Sequence, residues 1–169
     1  MKTLIVSAFP ACGKSYYHAV GDKYETFSTK DSDSSLFSWI IGTDGESTGV
    51  RNPEFPSNYI EYIKSNIGKV SFIFVSSHKE VRQALEHNNI QYVTVMPYPD
   101  TRKEWIDRCI QRGNDEDFIT LLDKMWDNWT SFESQRQYNP SGRVFLTNKQ
   151  YISDVIFTLD TYRDCIGVE

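Results

Sequence analysis

The sequence predicts an α/β fold of three layers, a five-stranded parallel sheet between two layers of helices. Two observations predict it. Short β-branched or aromatic runs alternate with longer segments of helical periodicity along the chain, the pattern of strand–helix–strand crossovers and not of a sandwich or bundle. The chain has 169 residues, 39% hydrophobic and 14% aromatic, which suits one domain with core enough for both faces of a sheet.

Leu4, Ile5 and Val6 form an apolar run bounded by a Pro/Gly-containing loop, which reads as a buried parallel strand. Further strands are expected from Tyr24 to Ser28, Val70 to Val75, Tyr92 to Met96 and Arg143 to Leu146, all short and rich in strand formers. Capping boxes place helix starts at Ser77 with Glu80, Thr101 with Glu104, and Thr147 with Gln150. From Asp115 to Phe132, residues Phe118, Leu121, Leu122, Met125, Trp126, Trp129 and Phe132 recur at helical spacing, with Asn114 as the expected N-cap. These aromatics read as core. The stretch from Gly42 to Ser57, rich in Gly, Ser, Thr, Asn and Pro, reads as a long loop. There is no internal repeat or low-complexity segment.

The formal charge of −5 argues against a protein that holds nucleic acid through a broad basic surface, although a local basic groove stays compatible with it. Cys12, Cys109 and Cys165 are odd in number and form no C-x-x-C pair, as expected of reduced thiols in a cytoplasm. No apolar run approaches the roughly 20 residues of a membrane span, and no signal-peptide pattern precedes the first strand. The expected setting is therefore cytoplasmic, the host cytoplasm if the protein is viral, with no membrane partner.

After the first strand comes Ala8-Phe9-Pro10-Ala11-Cys12-Gly13-Lys14-Ser15. A strand, then A-x-x-x-x-G-K-S, then a helix is the P-loop pattern, with Ala8 in place of the usual first glycine. Backbone N–H groups of such a loop, and the helix dipole behind it, bind phosphate oxygens. Ala8, Pro10, Ala11, Cys12, Gly13, Lys14, Ser15 and Tyr16 are thus expected to hold ATP. Lys14 would bridge the β- and γ-phosphates, and the Ser15 hydroxyl would ligate Mg²⁺. Cys12 would have a lowered pKa if it faced the phosphates, but packing is the commoner role.

The run Val70-Ser71-Phe72-Ile73-Phe74-Val75 ends in Ser76-Ser77-His78, without the strand-end aspartate of GTPases and motor ATPases. Asp31 and Asp33 follow the expected second strand, where a carboxylate could accept the proton of an attacking hydroxyl or order the Mg²⁺ shell. Asp33 is the first choice for base and metal carboxylate, and Asp31 the second. An Asp/Ser-rich turn capping the next helix is the structural alternative.

At this point the chain resembles the P-loop kinases of the nucleoside and nucleotide kinase superfamily, and small kinase-like proteins of bacterial viruses in particular. The resemblance runs through Asp31-Ser32-Asp33-Ser34-Ser35, Arg51-Asn52-Pro53 with Asn58-Tyr59, Ser76-Ser77-His78-Lys79-Glu80, and Arg112-Gly113-Asn114. It implies a substrate-binding insertion at about 34–68, a helical lid at about 100–132, and an adenine cradle at Thr147 and Asn148. It also implies an acceptor that is a deoxynucleoside monophosphate or a hydroxymethylated pyrimidine within DNA, the monophosphate preferred.

Basic residues gather at Arg102, Lys103, Arg108 and Arg112. Arg108 and Arg112 share a helix face and are the expected lid arginines, with Gly113 as a hinge. Arg51 is the expected anion clamp, and Trp39, Phe37 and Tyr59 are candidates for stacking on a base. His78, at a strand end, reads more simply as a helix start, and His18 and His87 fit neither a metal site nor a triad. A non-transferring nucleotide hydrolase and a non-catalytic interaction protein are the remaining alternatives.

Overall fold

The computed structural model describes residues 1–24 and 26–169. It begins with β1 (Leu4–Ala8), whose five residues are all buried, as a central parallel strand requires. A tight loop leads into α1 (Lys14–Tyr24) and the edge strand β2 (Thr29–Asp31). Next come α2 (Ser35–Ser38), β3 (Trp39–Ile41), β4 (Ser47–Arg51) and α3 (Ser57–Asn66). They are followed by β5 (Phe72–Ser76), α4 (Lys79–His87) and β6 (Tyr92–Pro97). Last are α5 (Arg102–Gln111), α6 (Glu116–Thr130), α7 (Phe132–Gln135), β7 (Gly142–Leu146) and α8 (Ile156–Ile166).

Five of these strands form one parallel sheet in the order β2-β5-β1-β6-β7. Because side chains alternate across a strand, Leu4, Val6 and Ala8 enter one core with Phe72 and Phe74, against Trp105 of α5, Trp126 of α6 and Leu159 of α8. Ile5, Ile73 and Val75 enter the other, against Tyr59 and Ile63 of α3 and Val81 and Leu85 of α4. The fold is therefore the three-layer P-loop type. The chain crosses to one side of β1 for β2 and to the other for β6 and β7. This reversal opens a crevice at the carboxyl end of β1, where open α/β sheets bind ligands.

Several expectations need correction. The second strand lies at Thr29–Asp31 and not from Tyr24 to Ser28. Tyr24 ends α1, Glu25 lies outside the described residues, and Phe27 packs edge-on against Phe72 at 5.2 Å between centroids without being in a strand. The expected loop from Gly42 to Ser57 holds β4, which pairs antiparallel with β3 just before it, Trp39 opposite Arg51. The turn between them closes through Gly42 N–H donating to the Glu46 carbonyl at 2.8 Å, and Asp44-Gly45 at its tip is a hairpin signal.

Two capping boxes do not form. His78 and Thr101 stand at the N-caps of α4 and α5 without side-chain caps, because Glu80 pairs with Arg51 and Glu104 with Arg108. The N-cap of α6 is Asp115, which accepts from Phe118 N–H at 2.7 Å, and not Asn114. Thr147 and Gln150 close a turn and no helix. The box in that region is Tyr151 with Asp154, opening a 3₁₀ turn over Ile152–Val155.

Candidate active site

The loop between β1 and α1 is held by its carbonyls from outside. Trp105 Nε1 donates to the Pro10 carbonyl at 2.9 Å, Arg108 to the Ala11 carbonyl at 3.4 Å, and Ile152 N–H to the Cys12 carbonyl at 2.9 Å. The first helical bond of α1 runs from Tyr17 N–H to the Gly13 carbonyl at 2.9 Å. The N–H groups of Gly13, Lys14, Ser15 and Tyr16 thus precede the helical ladder. Ala11 and Gly13 sit at φ 61° and 88°, turning successive amides toward one concavity, the arrangement that binds anions. Gly13 is required there, since a Cβ would lie 3.0 Å from Tyr151 Cδ1.

Two clefts meet on this loop. The first, about 510 Å³, is lined by Ala11 and Gly13 to Tyr16, by Arg108, Gln111 and Arg112 of the α5 end, and by Tyr151 and Ser153 beyond β7. The second, about 280 Å³, lies between the carboxyl ends of β1, β2 and β5, walled by Asp31 to Ser34, Ser76 to His78, Asn114 and Phe118. Lys14, Ser15 and Arg112 line both. Among the described residues Lys14 Nζ makes no hydrogen bond or ion pair, and Arg112 no ion pair.

The arginines differ from one another. Arg102 pairs with Asp123 on the surface. Arg108 is 5% exposed: its guanidinium lies 3.9 Å from the Trp105 ring centroid and 4.1 Å from that of Tyr151, and pairs with Glu104. Burial pushes the Glu104 carboxyl up, but the Lys149 N–H at 2.7 Å and the Arg108 charge outweigh it and hold the pKa below its ordinary value. Arg108 is therefore a brace between α5 and the β1–α1 loop, where a lid arginine was expected. Arg112, one turn on, is exposed. Beyond it, Gly113 at φ 75° closes α5, with Gly113 N–H bonded to Ile110 O and Asn114 N–H to Cys109 O. This is a Schellman motif at the position expected to act as a hinge, and it places Asn114 at the second cleft.

The two aspartates also differ. Asp33 is exposed, and its Oδ1 accepts from Ser35 N–H at 2.9 Å, so it serves the turn into α2. Asp31, at the end of β2, has a buried Oδ1 with no partner. Ser32 Oγ and Asn114 Oδ1, on the same cleft, are also buried and unpartnered. His78 is exposed, yet partial desolvation, with Lys14 and Arg51 opposing Glu80 and Asp33, holds its pKa below the usual value.

Other expected residues lie elsewhere. Tyr59 is fully buried, its hydroxyl donating to the Ser32 carbonyl at 2.6 Å and its ring packed on Phe37 and Phe55, so it cannot stack on a base. Arg51 lies over the Trp39 and Phe55 rings and pairs with Glu80. Neither Trp39 nor Arg51 lines the two clefts, and Thr147 and Asn148 do not either. Tyr151 and Ser153 stand at the first cleft, and no sequence signal marked them. Cys12 packs inward, its thiol donating to the Val95 carbonyl at 3.7 Å, and burial pushes its pKa up to about 12 against the charges of Lys14 and Arg108.

Among the described residues no group of three His, Cys, Asp or Glu side chains is placed to hold a metal, and no helix is long and apolar enough to cross a membrane. A nucleotide-borne Mg²⁺ needs less, a hydroxyl and a carboxylate beside phosphate oxygens. Ser15 and the unpartnered Asp31 Oδ1 on one cleft fit that need. No protein-family model matches this chain, and no curated protein does.

Proposed function

We propose that the protein is a P-loop kinase that transfers the γ-phosphate of ATP to a nucleotide-type acceptor. The observation that carries this reading is the sharing of Lys14, Ser15 and Arg112 by two clefts. A hydrolase needs one cleft and a water. A transferase needs two binding spaces that meet where the phosphoryl group crosses, and these meet on the phosphate loop.

In this reading the first cleft holds the donor nucleoside beside Tyr16 and Tyr151, and the second holds the acceptor. The loop amides cradle the phosphates, Lys14 and Arg112 neutralise charge that spreads over the transferred group, and a carboxylate at the end of β2 orients the acceptor. Mg²⁺, held by Ser15 and that carboxylate, would supply further neutralisation between the β- and γ-phosphates. Both aspartates line the second cleft; Asp31 is preferred over Asp33 for this carboxylate because its Oδ1 has no partner, whereas Asp33 Oδ1 is held by Ser35 N–H. All three cysteines are free, in keeping with a cytoplasmic setting.

The test incubates the protein with ATP, Mg²⁺ and a panel of nucleosides, deoxynucleoside monophosphates and hydroxymethylated DNA. ADP is expected to appear in equal amount with one phosphorylated acceptor. ADP accompanied only by inorganic phosphate would sink the kinase reading and leave a hydrolase.

A further inference from the structure

We propose, resting on the donor cleft of the kinase reading, that Glu104 is a positioning residue for the donor nucleobase, acting by holding Tyr151 where that base stacks. Glu104 Oε1 collects three donors: Arg108 through both Nε and Nη2, and the Lys149 N–H at 2.7 Å. A neutral amide oxygen has two lone pairs, so three donors on one oxygen suit a carboxylate, whose charge strengthens each bond. The bond to Lys149 joins α5 to a segment 45 residues away, between β7 and α8. Lys149 needs that hold. Its φ is 64°, a left-handed conformation usual for glycine or asparagine, in the turn closed by Gln150 N–H on the Thr147 carbonyl at 3.1 Å. Such a conformation persists where surrounding contacts over-determine it, and Glu104 supplies one from outside the turn.

Tyr151 follows two residues later and lines the first cleft. The Arg108 guanidinium lies 4.1 Å from its ring centroid and 3.9 Å from that of Trp105. One carboxylate therefore fixes both the cation against the Tyr151 ring and the backbone that carries the ring. Tyr151 is still 41% exposed, which leaves ring surface for a base, and stacking of this kind accepts any base because each has a π-face. The β1–α1 loop depends less on Glu104. Its Pro10 and Cys12 carbonyls are held by Trp105 Nε1 and Ile152 N–H, each at 2.9 Å. Only the longer Arg108 bond to the Ala11 carbonyl, 3.4 Å, comes from a partner of Glu104. Removing the charge of Glu104 should thus disturb the wall on which the base rests and spare the amides that hold the phosphates.

Calorimetric titrations of the full chain with ATP and with inorganic tripolyphosphate, each with Mg²⁺, separate the two effects, because tripolyphosphate has the phosphates and no base. Glu104→Gln keeps the shape of the side chain and loses its charge. It is expected to weaken ATP binding by about tenfold, within the worth of one base–ring stack, and tripolyphosphate binding by less than about twofold, the scatter of independent sites. Tyr151→Ala should show the same pattern, and adding Glu104→Gln to it should weaken ATP binding no further, as for residues that act through one another. Equal weakening of both ligands by Glu104→Gln would make its role a general structural one and overturn the inference, as would losses that add in the double variant. A wild-type protein that binds neither ligand removes the inference together with the kinase reading. One that binds ATP but phosphorylates no acceptor removes the kinase reading alone, since the role of Glu104 is read from binding.

Discussion

Gly13 bears two constraints at one residue. Its φ of 88° costs an alanine about 1 kcal/mol, and a Cβ there would also press on Tyr151 Cβ at 3.3 Å. Gly13→Ala should lower the melting temperature and weaken ATP binding, and calorimetry with and without Tyr151→Ala should find the two changes non-additive, as for groups in contact. Cys12 makes the opposite point, since its place before the N-terminus of α1 suggests reactivity that its burial removes. With its pKa raised to about 12, the thiol stays protonated at pH 8. Iodoacetamide at that pH should modify exposed Cys165 in the native protein and leave Cys12 intact; mass spectrometry finding Cys12 alkylated at a similar rate would contradict this.

At the scale of elements, α5 is the piece on which the site depends. Trp105 and Arg108 fasten it to the carbonyls of Pro10 and Ala11, and its last turn delivers Arg112 to both clefts. The two arginines should therefore separate in their effects. Arg108→Met leaves Glu104 with only the Lys149 N–H and no cation, and should cost about 3 kcal/mol, the magnitude for breaking a buried ion pair, visible in a denaturant titration. Exposed Arg112→Met should change stability by less than about 0.5 kcal/mol yet lower the transfer rate by about 10²- to 10³-fold, the effect of losing one transition-state donor. Equal stability losses in both would mean that Arg112, too, is structural.

For the whole molecule, the parallel sheet makes one rigid platform and the crossover reversal at β1 puts loops from β1, β2, β5 and β6 side by side. Ligand binding to that platform acts on global stability. ATP with Mg²⁺ at about one hundred times its dissociation constant should add about 2.7 kcal/mol, a rise of roughly 5 to 10 °C in melting temperature for a chain of this size. The rise should vanish in Lys14→Ala. A shift that persists without Lys14 would place the nucleotide elsewhere.

The amino-acid sequence by itself determined the layer architecture, four of the five sheet strands to within two residues at either end, and the tight loop between β1 and α1. These are local properties: strand alternation, helical period and a loop motif each lie within a few residues of chain. It missed the three-residue strand β2, which carries little local signal and pairs only with β5, and it read a hairpin as a loop. Tertiary structure alone decided what each polar side chain does. Arg108 and Arg112 are equivalent on a helical wheel, but only Arg108 meets the rings of Trp105 and Tyr151. Asp31 and Asp33 are two positions apart, but Asp33 is satisfied by a turn amide and Asp31 keeps a buried oxygen without a partner. Tyr59, a candidate to stack on a base, is core. Burial and hydrogen-bond satisfaction depend on residues distant in the chain, brought together only when the sheet forms, and so no spacing along the sequence encodes them.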